Sequence, residues 1–160
     1  MVTWAPCPQA KLAAAAKFNA LSSAMIEMKR AGKYDEESLK MSMKVLEMNP
    51  EFYSVWNFRR QIFSALTKSS PDTVGAALWG ELQLLEGAIA KNAKAYCLWT
   101  HRLWVIDRLV ELGDPEVLGK ELVLCTKFLK LDERNFHCWG YVYECMYVCM
   151  YACMCIYIHI

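Results

Sequence analysis

"NAKAYCLWTHRL", residues 92–103, occurs in this chain in three versions. "NPEFYSVWNFRR" (49–60) precedes it and "DERNFHCWGYVY" (132–143) follows it. Aligned on tryptophan, the three place Trp56, Trp99 and Trp139 at intervals of 43 and 40 residues. Each tryptophan has an aromatic three positions earlier, Tyr53, Tyr96 or Phe136, and the first two have an arginine three positions later, Arg59 and Arg102. A spacing of three places aromatic, Trp and Arg on one helical face. A period of about 40 residues with two helices per unit marks an α-solenoid, whose units bury their apolar faces against neighbours.

The segments between these motifs read as helices. Residues 10–31 are an Ala-rich apolar stretch closed by Gly32 as a C′ residue, and Asp35 fits an N-cap. "ESLKMSMKVLEM" carries Leu39, Met43 and Leu46 near helical spacing and is broken by Asn49-Pro50. "FYSVWNFRRQIFSAL" makes the next helix, ending before "TKSS". Ser70-Pro71 opens a helix over roughly 71–91, and Asn92 marks a short turn. "AYCLWTHRLWVIDRLVEL" is closed by Gly113, and Asp114-Pro115 repeats the N-cap and N1-proline device before a helix to about 131. The expected fold is all-α, a superhelix of antiparallel hairpins. Its repeats cover about 35–66, 71–111 and 115–139 onward within a domain at 1–139.

Composition fits this reading and narrows function. Gly and Pro are scarce and fall at boundaries, while Ala, Leu, Met, Lys and Glu are plentiful. A formal net charge of +1 gives no electrostatic case for nucleic acid or an acidic membrane surface. The first thirty residues lack a secretory pattern, and Cys7, Cys97, Cys125 and Cys138 are too scattered for a disulfide framework. Reduced thiols and a cytoplasmic location are expected. No Gly-rich phosphate loop or nucleophile elbow is present, and His101, His137 and His159 show no metal-ligand spacing.

The aromatic and Trp stripe reads as core packing. Arg beside buried Trp needs a carboxylate, exposed carbonyls or a ring face to offset desolvation. Cross-linking of repeats is the role expected of Arg59 and Arg102.

Aromatic-x-x-Trp-x-x-Arg, preceded by Asn-Pro or Asp-Glu, resembles the repeat of protein prenyltransferase alpha subunits. "KNAKAYCLWTHRLWVIDRL", "LDERNFHCW" and "RAGKYDEESLKMSMKVLEMNPEFYSVWNFRRQI" are similar above all to the Rab geranylgeranyltransferase (type II) members, over about 18–139. Tetratricopeptide arrays, with a unit of about 34 residues, fit neither spacing. The resemblance implies a crescent of helical hairpins around a β subunit that holds the catalytic zinc and the isoprenoid pocket. No cofactor is implied on this chain itself. The implied activity moves a geranylgeranyl group from its diphosphate onto C-terminal cysteines of Rab GTPases presented by an escort protein. A farnesyltransferase or type I alpha subunit, or a non-enzymatic helical-repeat adaptor, are the alternatives.

The resemblance also implies site residues. Lys94 matches the position that reaches the isoprenoid diphosphate, Tyr96 borders that site, and His137 matches a histidine facing the diphosphate region. Free N–H groups and the dipole at a helix N-terminus favour anions, and a Lys there neutralises charge growing on a departing diphosphate.

The pattern departs from the family at Ala93, where proline is usual, and after Gly140. Val142 and Tyr143 stand where arginines would follow. Residues 140–160 are expected to be a low-complexity apolar tail outside the family fold, leaving the third hairpin incomplete with an exposed apolar end. From Cys145 to Ile160 every residue has a codon of alternating pyrimidine and purine, as a translated dinucleotide tract would. A membrane anchor, an aggregation-prone strand, or a metal or palmitoylation site at Cys145, Cys149 and Cys153 are the rival readings.

Overall fold

The computed structural model describes the backbone of residues 8–114 and 116–158, and side chains from residue 9 to residue 150 other than positions 71 and 115. Among these residues there are seven helices and no strand: α1 (Pro8–Arg30), α2 (Glu36–Met48), α3 (Tyr53–Ser69), α4 (Pro71–Lys91), α5 (Tyr96–Glu111), α6 (Val117–Leu131) and α7 (Phe136–Ile158). None is long and apolar enough to cross a membrane. The chain divides into two compact units, Met1–Ser69 and Ser70–Ile160. In the first, α2 packs on α1 and on α3; in the second, α5 packs on α4, α6 and α7, and α6 pairs with α7.

Helix ends follow local chemistry. Asp35 accepts a 2.8 Å bond from the Ser38 amide, and that bond holds its carboxyl below the usual range. Gly32 and Gly113 sit at φ +67° and +80°, left-handed backbone that glycine adopts without a Cβ clash. Each closes a helix with paired bonds: Lys33 N to Met28 O and Gly32 N to Lys29 O, then Asp114 N to Leu109 O and Gly113 N to Val110 O. Pro71 opens α4 as expected. The device at Asp114-Pro115 is corrected: α6 begins at Val117, and Asp114 Oδ1 takes the Glu116 amide at 3.0 Å. Pro115 lies outside the described residues. The α3 helix runs through "TKS" to Ser69, beyond the stop expected before it.

The connectors inside the three hairpins are copies of one another. Residues 49–52, 92–95 and 132–135 each link two helices. In each, the first residue donates to the preceding helix (Asn49 to Val45 O, Asn92 to Ala88 O, Asp132 to Phe128 O). The fourth then donates to the first residue's carbonyl: Phe52 to Asn49, Ala95 to Asn92 and Asn135 to Asp132. Ala93 therefore leaves the turn intact, in place of the proline that the resemblance implies.

The boundary drawn at Gly140 does not interrupt the backbone. Helix α7 runs through it to Ile158, because Tyr141 and Cys145 are buried against the rest of the unit. A glycine inside a helix costs only about 1 kcal/mol, less than two buried side chains return. The strand reading of this segment is thereby corrected. The anchor reading finds no spanning helix among the described residues, and Cys153 lies outside the described side chains.

Candidate functional site

The side chain of each repeat tryptophan ties its helix to the connector before it. Trp56 Nε1 donates to Pro50 O, Trp99 Nε1 to Ala93 O and Trp139 Nε1 to Glu133 O, all at 2.8 Å and all six residues upstream. Three matching latches tie each tryptophan to its own connector in the same way.

The arginines follow the same register. Arg59 Nη1 donates to Leu39 O (2.6 Å) and Ser42 Oγ (2.8 Å); Arg102 Nη1 donates to Leu82 O (2.7 Å). Leu39 and Leu82 both lie 17 residues before their tryptophan. Arg102 also forks onto Glu121 of the following hairpin, through Nε at 2.7 Å and Nη2 at 2.6 Å. The cross-linking role expected of it is therefore seen directly. Burial alone would pull the guanidinium down, but the pair with Glu121 outweighs it and raises Arg102 above its ordinary value.

Two buried carboxylates escaped the sequence reading. Glu81 and Glu121 both stand 18 residues before their tryptophan, and each meets the side chain two residues after it. His101 Nε2 lies 2.9 Å from Glu81 Oε1, and Tyr141 Oη donates to Glu121 Oε2 at 2.6 Å. Burial first, and then the Glu121 charge, push the Tyr141 phenol well above its usual range. Burial likewise raises Cys145 to about 12. These groups carry structure rather than chemistry, since all are closed off from solvent.

The outward aromatics correct the stripe expectation. Tyr53, Tyr96 and Phe136 are exposed by 51%, 63% and 72%, so of that stripe only the Trp and Arg positions of α3 and α5 are buried. Each of these aromatics is the first residue of its helix. Trp139 is also exposed, by 54%.

The three residues implied by resemblance fall at one end of the second unit. Lys94 is exposed and lies in the 92–95 connector, two residues before the start of α5 rather than in its first turn. Tyr96 opens α5 and His137 is the second residue of α7, with their rings 5.9 Å apart. Asn135 Nδ2 reaches Ala93 O at 3.5 Å, and its Oδ1 caps α7 through the Cys138 amide at 3.2 Å. The 92–95 and 132–135 connectors are thus neighbours. Tyr96 and His137 are brought together, with Lys94 on the same edge. This edge offers a cation, a ring pair and a helix start to an anion. An open groove of about 790 Å³ lies nearby between the end of α6 and the start of α7, walled by Lys130, Asp132, Glu133, Arg134 and Trp139. It includes none of the three. Among the described residues no group of His, Cys, Asp and Glu is arranged to hold a metal.

Residues 35–66 and 78–109 match the protein prenyltransferase alpha subunit repeat. Two of the chain's hairpins carry that repeat. The chain is 38% identical over 125 residues to the geranylgeranyl transferase type-2 subunit alpha of Homo sapiens, covering 78% of this chain and 21% of that protein. The Dictyostelium discoideum protein of the same name is 40% identical over 114 residues, 71% of this chain and 35% of its own length. That of Saccharomyces cerevisiae is 33% identical over 125 residues, 78% of this chain and 37% of its length. The chain thus spans a fifth to a little over a third of these relatives. The first matched repeat coincides with α2–α3 and the second with α4–α5, the hairpins in which Trp latch and Arg anchor both occur.

Proposed function

We propose that this chain acts as the alpha subunit, or a portion of it, of a cytoplasmic Rab geranylgeranyltransferase. Its partner is a β subunit that carries the catalytic zinc and the isoprenoid pocket. The hairpins scaffold that subunit. The substrates in this reading are geranylgeranyl diphosphate and a Rab GTPase delivered by its escort protein. The observation that carries it is the exposed Lys94 on the edge shared with Tyr96 and His137, in a chain whose repeats match type-2 alpha subunits.

The chemistry is electrostatic. As the carbon–oxygen bond to the diphosphate lengthens, negative charge grows on the leaving group, and the Lys94 ammonium stabilises it more in the transition state than before. Tyr96 and His137 border the same charge as donors and set the edge on which it rests. No bond to this chain forms.

Co-expression with a type-2 β subunit tests the proposal. A co-purifying complex that transfers a geranylgeranyl group to an escort-bound Rab is expected. Lys94→Ala should then lower turnover about a hundredfold, with assembly unchanged. Failure to co-purify, or turnover indifferent to Lys94→Ala in an assembled complex, would remove the subunit role or the lysine's role respectively.

A further inference from the structure

In α5, Trp99, Arg102 and Ile106 form a column that the next hairpin covers. Trp99 meets the Phe128 ring at 5.7 Å and the Tyr141 ring at 5.2 Å, Arg102 is answered by Glu121, and Ile106 is fully buried. Forty residues on, the same column in α7 is Trp139, Val142 and Met146. There Trp139 is 54% and Met146 61% exposed. Val142 replaces the arginine, and the carbonyl that an arginine would take, Leu122 O, instead accepts from Thr126 Oγ1 at 2.8 Å.

This substitution limits what can cover the face. A further hairpin of the ordinary kind would bring a carboxylate equivalent to Glu121 against Val142, burying a charge with no guanidinium to meet it. An uncharged face is required, and α7 itself carries one. Trp139, Tyr143, Met146 and Met150 are all exposed at steps of four, three and four residues, the seam of a two-helix coiled coil. Glu144 stands beside this seam rather than in it.

We propose that this face of α7 is a self-association surface, pairing with α7 of a second copy about a two-fold axis. An isologous contact of this type puts each seam against itself and buries no unpaired charge. The proposal goes beyond the subunit role and does not depend on it.

Sedimentation velocity of the purified chain across a wide concentration range tests it. A reversible monomer–dimer equilibrium is expected. Met146→Glu and Tyr143→Glu, both at exposed positions that leave the fold's circular dichroism unchanged, should each weaken it a hundredfold or more. A chain monomeric at all concentrations, or a dimer indifferent to both substitutions, overturns the proposal. A monomer that floats with phosphatidylcholine vesicles overturns it in favour of a lipid-facing helix.

Discussion

Helices α5 and α7 carry the same column in opposite circumstances. Trp99 and Arg102 are each 3% exposed, whereas Trp139 keeps its latch to Glu133 O yet lies half in solvent. The latch is therefore local, set by the connector six residues upstream, while burial is supplied by the neighbouring hairpin. Shape comes from within a repeat and stability from between repeats, as expected of a nearest-neighbour array.

That difference can be broken by mutation. Trp99→Ala should destabilise the second unit by about 3–5 kcal/mol, because it removes a buried indole and leaves a cavity. Trp139→Ala should lose only about 1 kcal/mol. Urea denaturation followed by circular dichroism measures both, and equal losses would erase the distinction. Arg102→Met should cost about 3–5 kcal/mol by stranding Glu121, and adding Glu121→Gln should return part of it.

High pH sharpens the contrast in a second way. Tyr141 and Cys145 lie on the covered side of α7, and burial raises both, Cys145 to about 12. The unfolded chain releases these protons at about 8.5 for Cys and about 10 for Tyr. Stability is thus fully present below pH ~8.5 and declines as pH rises toward the folded values. A urea midpoint that stays flat between pH 8 and pH 11 would contradict this burial.

The smallest effects are at glycine. Gly113→Ala, at φ +80°, should cost about 1 kcal/mol, whereas Gly140→Ala, inside α7 with open space around it, should gain about 0.5–1 kcal/mol. Thermal melts of the two variants should move in opposite directions.

Much of this architecture could be read in the sequence, because it rests on local signals. Gly32, Asp35, Pro71 and Gly113 mark helix ends through backbone chemistry, and three tryptophans with flanking aromatics register the hairpins. The carboxylates could not be read so readily. Glu81 and Glu121 stand among mostly apolar neighbours, where a carboxylate is ordinarily read as turned to solvent, and only the offset of 18 from each tryptophan relates them. Helical periodicity groups the aromatics with Trp and Arg on one face but does not say how much of that face the neighbouring helices cover. Gly140 looked like a boundary since composition changes there, yet Tyr141 and Cys145 keep the buried side of α7 continuous. The Lys94 edge had no intrinsic signature, since an exposed lysine in a turn is ordinary until Tyr96 and His137 are seen beside it.

In the second unit, cover from the next hairpin, not the local latch, sets how stable a repeat helix is. Residue-resolved hydrogen exchange, at concentrations where the chain is monomeric, tests it most directly. Amides of α5 from Val105 to Leu109 should exchange only through opening of the whole second unit, and those of α7 from Met146 to Met150 far faster. Equal protection of the two stretches in the monomer would contradict it.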